Sequence, residues 1–140
     1  MFGKTIINST EMRELVSKQV GPLCGTVFSL YVSDERYYCP SKDDVQAILV
    51  GEQLNQTEYM AEAHDCDDYS HLAMSAFIRD AYREGKRRPA YAFGMVFSMG
   101  HAFNWFVDSH KQIQFVEPQT SEIYPISDFP GPDAVVFMLV

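Results

Sequence analysis

Apolar residues recur at helical spacing through the first part of the chain and at strand spacing after Pro89. Asn8 and Ser9 precede Met12, Leu15, Val16 and Val20, a capped amphipathic helix that Gly21-Pro22 ends. Thr26 to Val32 reads as a strand, Ser33-Asp34-Glu35 as a turn, and Arg36 to Cys39 as a short return strand. After Pro40, Ser41 stands as an N-cap with Asp44 in capping-box position, and Val45, Ile48 and Leu49 form the stripe of a helix ending near Gly51. Residues 52–63 are polar and read as a loop with a helical turn around Tyr59. The best-patterned helix runs from Cys66 to Glu84, with Tyr69, Ala73, Ala76, Phe77 and Asp80 at spacings of three and four and Gly85 as its C-cap. Strands follow at 90–99, 101–108, 112–117, near Ile123, and at 134–140. Helices first and antiparallel strands after make an α+β fold, in which the central helix packs on an antiparallel sheet.

The chain has 140 residues, which predicts one domain spanning 1–140. Its net charge of -8 argues against nucleic acid as a partner, because that binding depends on Lys and Arg neutralising phosphates. The one basic cluster, Arg83, Lys86, Arg87 and Arg88, complements the C-terminal dipole of the central helix. No apolar run approaches the roughly 20 residues of a membrane helix, so no membrane partner is expected. Three cysteines, Cys24, Cys39 and Cys66, leave at least one thiol free. A Cys24–Cys39 bridge has no support in the spacing. The odd count and the lack of a secretory signal favour a reducing, cytoplasmic location.

Candidate chemistry centres on Cys66. Stepping back from Phe77 through Ala73 places it on the core-facing side of the central helix, at the N-terminal edge. Strand alternation puts His101, Phe103, Trp105 and Val107 on one face, and Ile113, Phe115 and Glu117 on one face of the next strand. These apolar faces are expected to meet the central helix. Both must lie on one side of the sheet, which requires an odd loop. A 108–110 loop pairs His101 with Glu117. A 109–111 loop pairs His101 with Gln119 and makes Glu117 its diagonal neighbour. Either register lets the carboxylate reach the imidazole.

A helix N-terminus and a nearby imidazolium favour a thiolate, and a carboxylate holds a histidine in one orientation. Cys66 as nucleophile, His101 as base and Glu117 as orienting acid fill these roles. Backbone N–H groups at the helix start, with Gln119 as a side-chain donor, would form an oxyanion hole. Asp65, Asp67 and Asp68 oppose this reading, because negative charge disfavours a thiolate. They serve either as a helix cap, with Asp65 as N-cap, or as ligands for a cation such as calcium. His64 is too close in sequence to face the thiol, His71 lies on the outer helix face, and His110 sits in a turn. Asn104 is on the opposite sheet face from His101.

Three motifs, Asp65-Cys66-Asp67-Asp68-Tyr69, Gly100-His101-Ala102-Phe103-Asn104 and Val116-Glu117-Pro118-Gln119-Thr120, resemble the papain-like cysteine protease domain at the C-terminus of mushroom agglutinins. The resemblance implies a papain-like fold and a Cys66–His101–Glu117 triad. It also implies calcium-dependent activation, with Asp67 and Asp68 among the ligands, and dimerisation through this domain. The sugar-binding β-trefoil of those agglutinins has no counterpart here, so carbohydrate binding is not expected to carry over. The expected function is therefore a cysteine hydrolase acting on a protein or peptide substrate. The alternatives are a transglutaminase-like acyltransferase or deamidase, and a non-enzymatic binding or inhibitor protein that retains the site.

Overall fold

The computed structural model describes residues 5–24, 29–54, 57–83, 89–128 and 135–140, without the side chains of 23 and 24. Helix α1 (Ser9–Gln19) begins where Asn8 accepts the Glu11 N–H through its side chain. A short α2 (Gly21–Cys24) follows. Helix α3 (Lys42–Glu52) starts on Ser41, whose hydroxyl accepts the Asp44 N–H, as its spacing predicts. The central helix α4 spans Cys66–Arg83. The expected C-cap, Gly85, lies outside the described residues.

Strands β2 (Ser29–Tyr31), β5 (Phe93–Ser98), β6 (Ala102–Val107), β7 (Ile113–Glu117), β8 (Glu122–Pro125) and β9 (Val135–Leu139) form a six-stranded sheet in the order β2-β9-β5-β6-β7-β8. A smaller sheet joins β1 (Ile6–Asn8), β3 (Arg36–Tyr38) and β4 (Ala90–Tyr91) in the order β1-β3-β4. The fold is α+β, as expected, but its sheets are mixed: β2 runs parallel to β9, and β3 parallel to β4. Two strand expectations change accordingly. Residues 36–38 do not return along β2; they pair with β1 and β4. The 90–99 strand breaks at Ala92, where the chain leaves the small sheet for the large one. Strand periodicity reports which residues share a face, not which strands are neighbours, so neither point is legible in one sequence.

The large sheet is covered on both faces. One face buries Phe103, Trp105, Ile113 and Phe115 with Met12 and Val16 of α1. The other buries Phe93, Phe106 and Val116 with Val45 and Leu49 of α3 and Tyr69, Ala73 and Phe77 of α4. Phe77 stacks on Phe93 with ring centroids 3.7 Å apart. This corrects the expected packing: the Phe103–Trp105–Val107 face meets α1, and α4 lies on the face of Asn104 and Phe106. Every residue of β6 is buried, and a strand covered on both sides does not reveal by alternation which helix lies on which side. Gly94 permits a close approach between β5 and its neighbours. A Cβ there would collide with the Leu139 carbonyl and crowd the Trp105 indole nitrogen, which donates to that same carbonyl at 3.2 Å.

Cys39 is a free, buried thiol, so no Cys24–Cys39 bridge forms. Burial, followed by the charge of Glu11, pushes its pKa up to about 12. Among the described residues, no helix is long and apolar enough to cross a membrane.

Candidate functional site

The site gathers at the end of the large sheet where β6 begins. The β6–β7 register pairs Val107 with Ile113 and Asn104 with Val116. Continued outward, it sets Gln119 across from His101 and Glu117 on the diagonal, the second of the two registers considered above. His101 Nε2 donates to Glu117 Oε2 at 2.7 Å, since a carboxylate can only accept. The other oxygen, Oε1, accepts the Gln119 backbone N–H at 3.2 Å. Both oxygens of Glu117 are therefore engaged, and the imidazole is held by one nitrogen. Its ring also stacks on Phe103, with centroids 5.6 Å apart. Gln119 thus contributes through its backbone, by fixing the carboxylate.

Cys66 opens α4 and is half-buried. Its carbonyl accepts the Ser70 hydroxyl at 3.0 Å. Ser70's own carbonyl accepts Asn104 Nδ2 at 3.0 Å. One turn of helix, about 5.4 Å, separates that anchor from Cys66. Farther along α4, Phe77 stacks on Phe93, which pairs with Phe106. The helix therefore runs alongside β6, with its first turn toward the start of that strand. Among the described residues, no hydrogen bond joins the Cys66 thiol to His101.

The acids at the start of α4 have local partners. Asp68 Oδ2 accepts the Asp65 N–H at 3.1 Å, the return half of a capping box. Asp65 Oδ2 accepts the Glu62 N–H at 3.1 Å rather than capping the helix itself. Oxygen atoms of Asp65, Asp67 and Asp68 all lie within 4.8 Å of one another. The adjoining loop folds back onto the helix. His64 stacks on Tyr69 with centroids 4.1 Å apart, and His64 Nε2 lies 2.9 Å from the Thr57 hydroxyl. Tyr59 sits beside this group; desolvation, then the charges of Asp65, Cys66 and Asp67, hold its phenol above the ordinary range. As expected, His71 is exposed on the outer helix face and His110 in its turn.

Asn104 is what sequence reasoning passed over. It lies on the opposite sheet face from His101, as alternation requires, yet that is the face α4 occupies. Fully buried, its amide donates to the carbonyls of Ser70 and Gly94, both at 3.0 Å. The signal was present in Ala102-Phe103-Asn104-Trp105-Phe106-Val107, where a lone amide in an apolar strand must find partners.

The family model of the agglutinin C-terminal domain matches residues 37–123, which include Cys66, His101 and Glu117. Two solved structures share the fold. The PSL1a-E64 complex is 22% identical over 96% of this chain and 50% of that one, with a TM-score of 0.84. Polyporus squamosus lectin bound to the human-type influenza-binding epitope Neu5Aca2-6Galb1-4GlcNAc is 22% identical over 96% of this chain and 49% of its own, with a TM-score of 0.81. The chain thus spans about half the length of each. No curated protein sequence matches it. These findings overturn the expected activity. The family is an agglutinin domain and one neighbour is a lectin, and neither gives support to a cysteine hydrolase, thiol protease or peptide substrate.

Proposed function

We propose, from the premise that this chain belongs to the agglutinin C-terminal family, that it is a non-enzymatic binding domain whose ligands are glycans or glycan-bearing proteins. The match over residues 37–123 carries this reading. The neighbouring lectin bound to a sialylated trisaccharide gives the ligand class. The proposed contact surface is the end of the large sheet, formed by Cys66, His101, Glu117 and Gln119. There, an imidazole and a carboxylate held together at 2.7 Å offer donors and acceptors without a step of bond cleavage. We take the papain-like refinement of the fold as architecture only. The carboxylates of Asp65, Asp67 and Asp68 suit a hard cation, which takes oxygen ligands at about 2.3–2.6 Å. Two of them already hold backbone N–H groups through one oxygen, which leaves an oxygen of each for a calcium ion.

The test is a glycan array, followed by titration of Neu5Aca2-6Galb1-4GlcNAc into the full chain and into His101→Ala. Saturable binding that weakens at least tenfold in the variant supports the reading. Peptide cleavage or ammonia release that disappears in Cys66→Ala overturns it, as does an array with no glycan bound.

A further inference from the structure

An apolar cavity lies between the last turns of α4, the start of β5 and the turn that precedes β3. Its volume is about 190 Å³, and Tyr37, Phe77, Ile78, Ala81, Tyr91 and Phe93 are among its lining. Phe77 stands roughly 16 Å along the helix from Cys66, and Phe93 pairs with the far end of β6 from His101. The walls are held in place before any ligand arrives. Phe77 stacks on Phe93 with centroids 3.7 Å apart and meets Tyr91 edge-on at 5.4 Å. At the rim, the Ser33 N–H, the Ser33 hydroxyl and the Tyr37 hydroxyl all donate to the Val140 carbonyl, at 2.9, 2.8 and 3.1 Å. The Tyr37 oxygen in turn accepts the Asp34 N–H at 2.8 Å, and the Tyr91 hydroxyl donates to Asp80. Among the described residues, the buried side-chain atoms without partners are on Asn104, Gln114 and Ser121, and none of these lines the cavity. Asp34 is the one charged side chain in the lining. No cation of the described residues pairs with it. The Ser33 hydroxyl lies 3.4 Å from its Oδ2, but the single proton of that hydroxyl goes to Val140.

We propose that this cavity binds a small aromatic amine, with the ring among Phe77, Tyr91 and Phe93 and the ammonium at the Asp34 carboxylate. The ring follows from the walls. An apolar cavity of about 150 Å³ stays dry and takes benzene, and aromatic rings pack edge-on or offset against one another. The amine follows from charge. A chain of net charge -8 with an unpaired carboxylate on the cavity rim attracts a cation and repels an anion. Asp34 is exposed, so the ammonium stays hydrated while the ring is buried. A sugar is disfavoured, because apolar walls leave its hydroxyls without partners. The residues differ from those of the glycan surface, so neither reading depends on the other.

The experiment is a titration of the full chain, labelled with ¹³C at its Met and Ile methyl groups, read by NMR at neutral pH. The probes are phenethylamine, phenethyl alcohol, phenylacetate and butylamine. The expected result is saturable shifts at the methyls of Met74 and Ile78, which both line the cavity, with phenethylamine. Its dissociation constant should be at least about threefold lower than that of the alcohol, the gain of an exposed ion pair. Phenylacetate should bind more weakly than the alcohol, and butylamine should give no saturable shift. Asp34→Asn should bring amine and alcohol to equal affinity. Ala81→Phe should fill the cavity and abolish the shifts, with thermal melting checking its fold. No saturable shift with phenethylamine, an amine that binds no tighter than the alcohol, an amine preference that survives in Asp34→Asn, or binding retained in a folded Ala81→Phe would each overturn the proposal.

Discussion

The amide of Asn104 fixes where the first turn of α4 lies, and replacing it by aspartate isolates that role. Asp has the same shape but offers a carboxylate to the carbonyls of Ser70 and Gly94, where the amide gave two N–H donors at 3.0 Å. Ionised, it places negative charge against two acceptors at a fully buried position. Protonated, it supplies one O–H for two carbonyls. Burial of this kind raises a carboxyl pKa by about 3 units. At about 1.4 kcal/mol per unit, roughly 4 kcal/mol is lost at pH 7 relative to the protonated form. The direction follows from linkage. A carboxyl whose folded pKa is raised contributes its full stability below the unfolded value near 3.9, and loses it as pH rises through the folded value. Urea unfolding followed by the fluorescence of Trp105, the single buried tryptophan, measures the gap between Asn104→Asp and the parent at each pH. The gap should be widest at pH 7 and close toward pH 4. Asn104→Ala should lose about 2 kcal/mol at both, since it forfeits two hydrogen bonds but also removes an Oδ1 that has no partner among the described residues. A gap of less than about 1 kcal/mol, or one that ignores pH, refutes the anchoring role.

Four further outcomes follow from the packing and the site. Gly94→Ala should cost about 3 kcal/mol, because the new methyl meets backbone at Leu139 and displaces the Trp105 hydrogen bond. Scanning fluorimetry should show a melting point lower by roughly 10 °C, and an unchanged one contradicts the packing. Cys39 should resist a thiol reagent in the folded chain. Because its folded pKa lies near 12, above the ordinary value of 9.0, stability should hold below pH 9 and fall toward pH 12. Cys39→Ala should flatten that fall, and a slope the variant leaves unchanged assigns it to other groups. A double-mutant cycle on His101 and Glu117, whose side chains are 33% and 20% exposed, should give about 1 kcal/mol of coupling, and zero coupling would remove the pair as a fixed element. Calcium at a hundredfold excess over its dissociation constant should add about 2.7 kcal/mol, and an equal gain in Asp67→Asn would exclude the acidic cluster as its site.

The local half of this fold is legible in the sequence because its signals are local. Asn8 and Ser41 cap the helices they precede, and Cys66 begins the helix that Tyr69, Ala73 and Phe77 pattern. The His101–Glu117 contact was also within reach, because turn parity and alternation limit the β6–β7 hairpin to two registers and both bring the pair together. What the sequence hid is the layering. A sheet apolar on both faces gives no sign of which helix covers which side, and the richer stripe of Phe103, Trp105 and Phe115 turned out to serve α1. Function was misread for a related reason. Cysteine, histidine and acid in order, with a family likeness, describe the placement of three side chains. They do not by themselves establish turnover, and the family that matches is an agglutinin domain.

The acids around Cys66 then take a definite place. Two latches hold the start of α4. One is the buried amide of Asn104 on Ser70, one turn in. The other is the outer cluster, where Asp68 caps Asp65, Asp65 ties Glu62, and His64 lies on Tyr69. Hydrogen bonds to a buried amide are shielded from water, whereas bonds at the surface are weakened by it. Asn104 therefore sets the position of the helix and of Cys66, and the acids set only how tightly the 57–65 loop lies over it. A cation at the cluster would tighten that loop without moving the thiol. Calcium should thus protect the loop from proteolysis while leaving the position of the Cys66 backbone unchanged, whereas loss of the Asn104 amide should shift that position and spare the loop.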